Sequence, residues 1–263
     1  LARDVIASVE HRGARIVGTA MSIPGFVRAG TGEIMEAPNL GWRNVDALRL
    51  LRADSPLPDA MLRVGNDANF AAEAETWMRL QRCRSGGPRP SGTYIYLAGT
   101  VGFGAALVHD CRIYHGDNGW SMEIGHVCVQ PDGPQCACGA TGCLESYAGR
   151  FRMLEAAGLP EWASLSDIAV AAEAGDDRSL AAIKNAGGAI GVVLSSVVSL
   201  LDVPEVVLGG ELGQLTEFLR PYVAAEIKRR VVSAAWQEIA VTTSLIDGFD
   251  PLSGAALSIV LGG

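Results

Sequence analysis

The feature that most constrains the fold of this chain is a cluster of metal-binding side chains between Gly119 and Tyr147. The four candidate ligands are His126, Cys136, Cys138 and Cys143. Gly139 and Gly142 lie between the cysteines, where glycine lets the backbone turn tightly round an ion. Thiolate and imidazole groups suit zinc better than magnesium or calcium, and four protein ligands leave no position for a metal-bound water. The spacing therefore predicts a structural zinc site, with unrelated buried cysteines or a disulfide as the alternatives.

Two carboxylates flank the candidate ligands. Glu123 lies just before His126, and Glu145 lies just after Cys143. A metal that orders this loop would also fix both acids beside the imidazole. Such carboxylates can accept charge-assisted hydrogen bonds from sugar hydroxyls, each contributing about 1.5–3 kcal/mol. A solvated acid on a loop is the alternative for either residue taken alone.

A second polar group is predicted at a corner between a strand and a helix. The apolar run from Met61 to Gly65 predicts a strand, and it ends at Asn66 and Asp67, which precede a helix-forming run. Ligands of α/β proteins collect at such corners. Asp67 is the natural general base for a sugar hydroxyl. The alternative is a helix N-cap, which would contribute about 1 kcal/mol.

One glycine-rich turn could approach a phosphate group. It follows the predicted strand 93–98 and contains Gly102 and Gly104. Backbone N–H groups in such a turn can bind anions, and a simple hairpin is the alternative. A predicted buried strand also ends at a glycine pair, Gly209 and Gly210, which taken alone indicates an ordinary strand-to-helix turn.

Composition excludes several classes of function. The chain has 21 Lys and Arg against 29 Asp and Glu, a net charge of −8, so it is not itself a nucleic-acid-binding surface. Six cysteines with a thiolate site indicate the reducing cytoplasm. The apolar segment 181–201 carries Lys184, Asn185, serines and glycines, which favour a buried packing helix over a membrane span. Because the chain begins at Leu1 within what looks like a domain, we expect a fragment of a longer protein.

The phrase GWSMEIGHVCVQPDGPQCACGATGCLESY resembles the zinc and sugar signature of the ROK family, which contains sugar-responsive repressors and sugar kinases. The resemblance implies that Glu123, His126 and Glu145 contact sugar hydroxyls, with His126 also a zinc ligand. It implies the same for Asn66 and Asp67, with Asp67 as the catalytic base of a kinase. A two-lobed actin-like α/β fold and a homodimer or homotetramer are further implications.

The first glycine turn departs from the phosphate loop of the family's kinases. Gly102, Phe103 and Gly104 match its G-I-G, but Ala105 and Ala106 replace its last two glycines, and Val101 replaces its threonine. Added methyl groups and a lost hydroxyl predict weak phosphate binding. By the same resemblance, Gly209 and Gly210 would approach the adenosine of ATP in a kinase. The family's Asp-x-Gly-Gly-Thr loop and a helix-turn-helix segment are expected before Leu1.

The resulting prediction is the sugar-binding effector domain of a ROK-type transcriptional regulator. DNA would be bound by an N-terminal domain absent from this chain, and no membrane is involved. The alternative is an ATP-dependent hexose kinase that uses magnesium-ATP. We expect residues 1–66 to be the remainder of an N-terminal lobe, 67–250 to form the C-terminal lobe, and 251–263 to pack back on the first lobe.

Overall fold

The computed structural model describes residues 2–55, 57–58, 61–99, 102–246 and 250–260. Three sheets organise these residues. Two small sheets are built from the first 66 residues, and one five-stranded sheet forms the centre of the remainder.

The N-terminal strands form a parallel pair and an antiparallel meander. After helix α1 (Ala2–His11), strand β1 (Thr19–Ile23) pairs in parallel with β5 (Leu62–Asn66). The meander consists of β2 (Phe26–Val27), β3 (Glu33–Ala37) and β4 (Trp42–Asp46), and helix α2 (Ala47–Asp54) follows it. Their shared core contains Ile23, Val27, Ile34, Ala37 and Ala47.

The large sheet has the order β10-β9-β6-β7-β8. Its strands are β6 (Tyr94–Gly99), β7 (Phe103–His109), β8 (Arg112–Tyr114), β9 (Glu205–Gly209) and β10 (Ala240–Thr243). Strands β6, β9 and β10 are parallel, whereas β7 and β8 add on as antiparallel hairpins. Every residue of β6 is buried, as expected for a central strand covered on both faces.

The helices around the large sheet are α3 (Asp67–Arg84), α4 (Glu145–Ala148), α5 (Arg150–Ala157), α6 (Leu165–Glu173), α7 (Asp177–Leu201), α8 (Gly210–Gln214) and α9 (Thr216–Arg230). Helix α10 (Pro251–Val260) packs instead against α3 and the N-terminal strands. By length and composition, α7 could cross a membrane, but 61% of its most apolar window is buried inside the structure. It packs against α5 and α9, and glycines permit this close approach, since a Cβ on Gly191 would lie 2.6 Å from the Cβ of Glu226.

A buried ionic network joins α3 to the large sheet. Arg79 donates to Glu75 at 2.7 Å and makes two bonds, of 2.9 and 2.6 Å, to Glu205 at the start of β9. Glu75 is fully buried. It also accepts hydrogen bonds from the hydroxyl of Ser244 and from the backbone N–H of Leu245, two residues that follow β10. Every charge is therefore paired, which is the condition under which a buried ionic group is tolerated.

Most predicted elements are present, but the N-terminal region contains more strand than we expected. The amphipathic pattern from Asn44 to Arg52 predicts a short helix, but these residues begin as strand β4 and the helix starts at Ala47. Strand β3 lies in the stretch from Gly32 to Trp42, for which no strand is predicted. By contrast, helix α10 has the bounds that the sequence predicts for a final helix, Pro251 to Val260. This helix packs against α3, β1 and β5. The division of the chain into two lobes at residue 66 stays a prediction.

Candidate functional site

The four predicted metal ligands lie together. The ligand atoms of His126, Cys136, Cys138 and Cys143 are all within 4.8 Å of one another. The Cys138 and Cys143 sulfurs are 3.7 Å apart, and the Cys136 sulfur is 3.8 Å from Nδ1 of His126. Sulfurs bound at 2.3 Å to a tetrahedral zinc would be about 3.8 Å apart. This arrangement could therefore hold a tetrahedral metal ion, with Nε2 of the imidazole left for another partner.

Local backbone geometry explains why the loop closes on itself. Gly139 and Gly142 have φ angles of 96° and 72°, in the left-handed region that glycine adopts without strain. The N–H of Cys136 donates to Ala140 at 2.8 Å, and the N–H of Gly139 donates back to Cys136 at 3.0 Å. These two hydrogen bonds form a tight turn that brings Cys136 and Cys138 close together. The glycines identified in the sequence thus shape the loop.

The close packing of the thiols shifts the pKa values of Cys136 and Cys143 in opposite directions. Burial raises the pKa of Cys136, but hydrogen bonds from Cys138, His126 and Cys143 outweigh it and lower the value to about 7. Burial, together with the neighbouring sulfurs of Cys138 and Cys136, raises the pKa of Cys143 to about 12. A divalent cation would displace the remaining protons and offset most of the thiolate charge, so the donor set fits a bound metal.

The predicted carboxylates influence one another electrostatically. Burial raises the pKa of Glu123, the charge of His126 lowers it, and the charges of Asp67 and Glu145 raise it further. The metal-loop acids are therefore within electrostatic range of the residue that starts α3. The site thus combines three carboxyl groups and one imidazole, which can accept and donate hydrogen bonds to a polyhydroxylated ligand.

The structure distinguishes the roles of Asn66 and Asp67. Asn66, not Asp67, is the N-cap of α3, because its Oδ1 accepts from the backbone N–H of Ala68 and Asn69 at 2.9 and 3.1 Å. Its Nδ2 donates to the carbonyl of Gly25 at 3.1 Å, which leaves one amide hydrogen for a ligand.

Asp67 is held in a partly buried position at the first turn of α3. Its Oδ1 accepts from the N–H of Ala68 at 2.8 Å. Burial raises the pKa of Asp67 from 3.8 to about 6, in spite of that hydrogen bond. A carboxylate with this pKa can exchange a proton near neutral pH, as a general base must.

The first glycine turn lies directly against Glu145. The N–H of Phe103 donates to Oε2 of Glu145 at 3.4 Å. A Cβ added at Gly102 would be 2.9 Å from that same oxygen, and one at Gly125 would be 3.3 Å from it. A side chain at residue 102 would therefore displace the Glu145 carboxylate, which approaches the backbone there. A negatively charged group already occupies the turn at which a phosphate was considered.

The other predicted nucleotide-binding glycines have packing partners. A Cβ on Gly104 would lie 2.9 Å from the Cβ of Ala68 at the start of α3. Gly209 packs on the Tyr96 hydroxyl, and Gly210, with φ of 59°, pairs with Gly99 across the ends of β9 and β6. Close packing thus accounts for these glycines without a nucleotide, and their predicted role in nucleotide binding stays a prediction.

Ala105 and Ala106 do not lie at the surface of the turn, where they were expected to hinder a phosphate. They lie inside β7, paired with Leu97 and Tyr96, and are 7% and 0% exposed. Their methyl groups fill the core on the two faces of the sheet and do not face a ligand. Val101, the third substitution in that argument, lies outside the described residues.

A cavity of about 730 Å³ opens beside the metal loop. It is bounded by the loop residues 135–137 and by α4 and α5, with Phe151 and Arg152 on its wall. Among the described residues, Glu145 is the predicted sugar-binding residue that lines it. The cavity therefore adjoins one side of the predicted sugar site.

Sequence reasoning missed two features of the structure. Cys128 forms an isolated antiparallel bridge with the metal-ligand candidate Cys143. Its position two residues after His126 was the sequence feature that could have drawn attention to it. The Glu75–Arg79–Glu205 network was also missed, because a pair on one helix gives no indication of a third partner 126 residues away.

Comparisons with known proteins point to one family. The model of the ROK family matches residues 3–260. A glucokinase from Halalkalibacterium halodurans is 31% identical over 212 residues, covering 74% of this chain and 61% of the glucokinase. The xylose repressor of Bacillus spizizenii is 25% identical over 217 residues, covering 82% of this chain and 54% of the repressor. This chain thus spans less than two thirds of the length of either relative.

A solved structure gives the same result for the fold. The crystal structure of a ROK family transcriptional regulator, a homolog of the E. coli MLC protein, superposes with a TM-score of 0.81. It is 23% identical, and the match covers 99% of this chain and 69% of that chain.

Proposed function

Because the chain belongs to the ROK family, we propose that it is the sugar-binding part of a transcriptional regulator, in which sugar binding controls DNA binding by another part of the protein. Its α/β architecture is the actin-like fold of sugar kinases. Both repressors and glucokinases are relatives of the chain. Family membership therefore leaves two candidate functions, and the site itself has to favour one of them.

The observation that carries the proposal is the position of the Glu145 carboxylate. It accepts from the N–H of Phe103 and lies against Gly102, so the backbone donor of the glycine turn is already used by an anion. A phosphate at this turn would lose that donor and meet a like charge, which costs several kcal/mol when both groups are desolvated. A neutral sugar would meet no such repulsion.

The sugar ligands we propose are Asn66, Asp67, Glu123, His126 and Glu145. The electrostatic coupling of Glu123 to Asp67, His126 and Glu145 supports a common binding site. We propose zinc as the ion held by the three cysteines and His126, since three thiolates and an imidazole are typical zinc ligands. When bound, zinc would fix the loop, and the sugar hydroxyls would be contacted by this chain's own side chains.

Control of DNA binding would follow from a difference in affinity. A sugar can shift the protein between a DNA-binding and a free state only by as much as it binds one state more tightly. The net charge of −8 supports DNA contacts outside this chain. A homodimer or homotetramer and a cytoplasmic location stay predictions.

The second candidate is an ATP-dependent hexose kinase. It is favoured by Asp67, whose pKa of about 6 suits a general base at neutral pH. Gly102, Gly104, Gly209 and Gly210 would then bind magnesium-ATP.

Calorimetric titration distinguishes the two functions. The protein is titrated with glucose, xylose and other aldoses, and then with magnesium-ATP in the presence of the tightest sugar. We expect saturable sugar binding without nucleotide binding, and weaker sugar binding in Glu145→Gln. Sugar phosphate that appears with wild type and disappears with Asp67→Asn would establish the kinase instead.

A further inference from the structure

Cys128 and Cys143 lie directly opposite each other in a two-stranded antiparallel segment. The N–H of Val129 donates to Gly142 at 2.7 Å, and the N–H of Leu144 donates to Val127 at 3.0 Å. These bonds flank the cysteine pair on both sides, so it is a pair without hydrogen bonds between its own members. In such a pair the Cα atoms are about 4.5 Å apart and the side chains share one face.

This geometry is suitable for a disulfide. Bridged cysteines have Cα atoms about 4.4–6.8 Å apart, a range that includes the spacing of a narrow antiparallel pair. The Cys128 side chain lies over this paired segment, since a Cβ added at Gly142, next to Cys143, would be 3.4 Å from its sulfur. The two sulfurs can therefore meet by rotation of side chains, without a rearrangement of the backbone.

The two cysteines differ in exposure and in role. Cys143 is 1% exposed and belongs to the cluster of four metal-ligand candidates. Cys128 is exposed and is not a member of that cluster. An accessible thiol thus lies beside a buried one that the metal needs as a ligand.

We propose that Cys128 makes the metal site sensitive to oxidation, because a disulfide between Cys128 and Cys143 removes one of the four ligands. Hydrogen peroxide oxidises the Cys128 thiol to a sulfenic acid and is itself reduced to water. The Cys143 sulfur then attacks the Cys128 sulfur, the S–S bond forms, and the hydroxyl leaves as a second water after taking a proton. In total, two thiols lose two hydrogens and one peroxide gives two waters.

Loss of Cys143 would leave three ligands and weaken the hold on the metal. Glu145 is two residues from Cys143 and contacts the glycine turn through Phe103, so the disulfide would also disturb the proposed sugar site. This last consequence rests on the proposed function, whereas the disulfide and the metal release do not.

Peptide mapping and metal release test the inference on the intact zinc-loaded protein. Peroxide is added, zinc release is followed with a chromogenic chelator, and free thiols are then alkylated. Trypsin leaves all the loop cysteines in one peptide, 113–150. A second digestion that cleaves before aspartate divides this peptide, so that Cys128 lies in 117–131 and the three cysteine ligands lie in 132–150. We expect a crosslink between these two peptides with a loss of two hydrogens, and fragment ions that place it on Cys143.

Two variants provide the comparison. Cys128→Ser removes the oxidisable thiol but no predicted ligand, so it should bind one zinc and release it more slowly under peroxide. Cys111→Ser removes another exposed cysteine outside the loop and should behave as wild type. Dithiothreitol should restore zinc binding in oxidised wild type.

Three outcomes would overturn the inference: crosslinks confined to the peptide 132–150, equal release rates in wild type and Cys128→Ser, or a protein that binds no zinc when fully reduced. Sugar affinity is measured in parallel. A crosslink and zinc release in a protein without sugar affinity would refute the proposed function but not the oxidation of this cysteine pair.

Discussion

Replacing Asp67 with asparagine should stabilise the protein, and more so at high pH. Burial raises the pKa of Asp67 from 3.8 to about 6. The folded state therefore holds the proton more tightly than the unfolded state, so ionisation of this carboxyl destabilises the fold. The cost is absent below about pH 4, grows between pH 4 and 6, and is fully present above pH 6. At 1.36 kcal/mol per pH unit it reaches about 3 kcal/mol, as an upper bound.

The asparagine variant keeps the shape and the acceptor for the Ala68 N–H, but it cannot ionise. We expect Asp67→Asn to raise the free energy of unfolding by up to about 1.5 kcal/mol at pH 5 and about 3 kcal/mol at pH 8. Denaturant unfolding at both pH values, with zinc at a fixed saturating concentration, measures the difference. Sugar affinity should fall in the same variant, since stabilisation at the expense of function is expected for a strained ligand-binding residue.

An aspartate with the opposite pKa shift provides the control. Hydrogen bonds from the backbone N–H and the hydroxyl of Ser164 lower the pKa of Asp167. Its ionised form stabilises the fold at neutral pH, so Asp167→Asn should destabilise the protein at pH 8. A stabilisation by Asp67→Asn that is equal at pH 5 and pH 8, or a loss of stability at pH 8, would show that burial of Asp67 does not govern its titration.

Three further predictions follow from particular contacts. Cys138→Ser should lose the metal, measured by elemental analysis, and lower sugar affinity; retention of one zinc per chain and full affinity would refute the predicted ligand set. Arg79→Met leaves the buried Glu75 and the half-buried Glu205 without their cation and should lower the free energy of unfolding by about 3–5 kcal/mol in denaturant titration. Gly102→Ala puts a methyl group against the Glu145 carboxylate and should weaken sugar binding in calorimetry, whereas Gly188→Ala, which meets nothing within 4 Å, should leave the affinity unchanged.

The sequence by itself determined the features that depend on near neighbours. The four metal-ligand candidates lie within one short loop, so their spacing and the intervening glycines were enough to predict that they meet. Helix α10 and most strands were predictable because apolar periodicity is local. The family resemblance also rested on this contiguous stretch, and the ROK match over residues 3–260 confirms it.

The tertiary structure decided the features that join distant segments. The position of Glu145 against the turn at Phe103, 42 residues away, replaced the argument from Ala105 and Ala106, which face the core of the sheet. Asn66 took the capping role considered for Asp67, because the direction of a side chain at a strand end depends on the exact end of the strand. The pairing of Cys128 with Cys143 likewise required the register of two strands. Spacing along a chain specifies which groups can meet locally, whereas burial, register and long-range packing decide what each of those groups contacts.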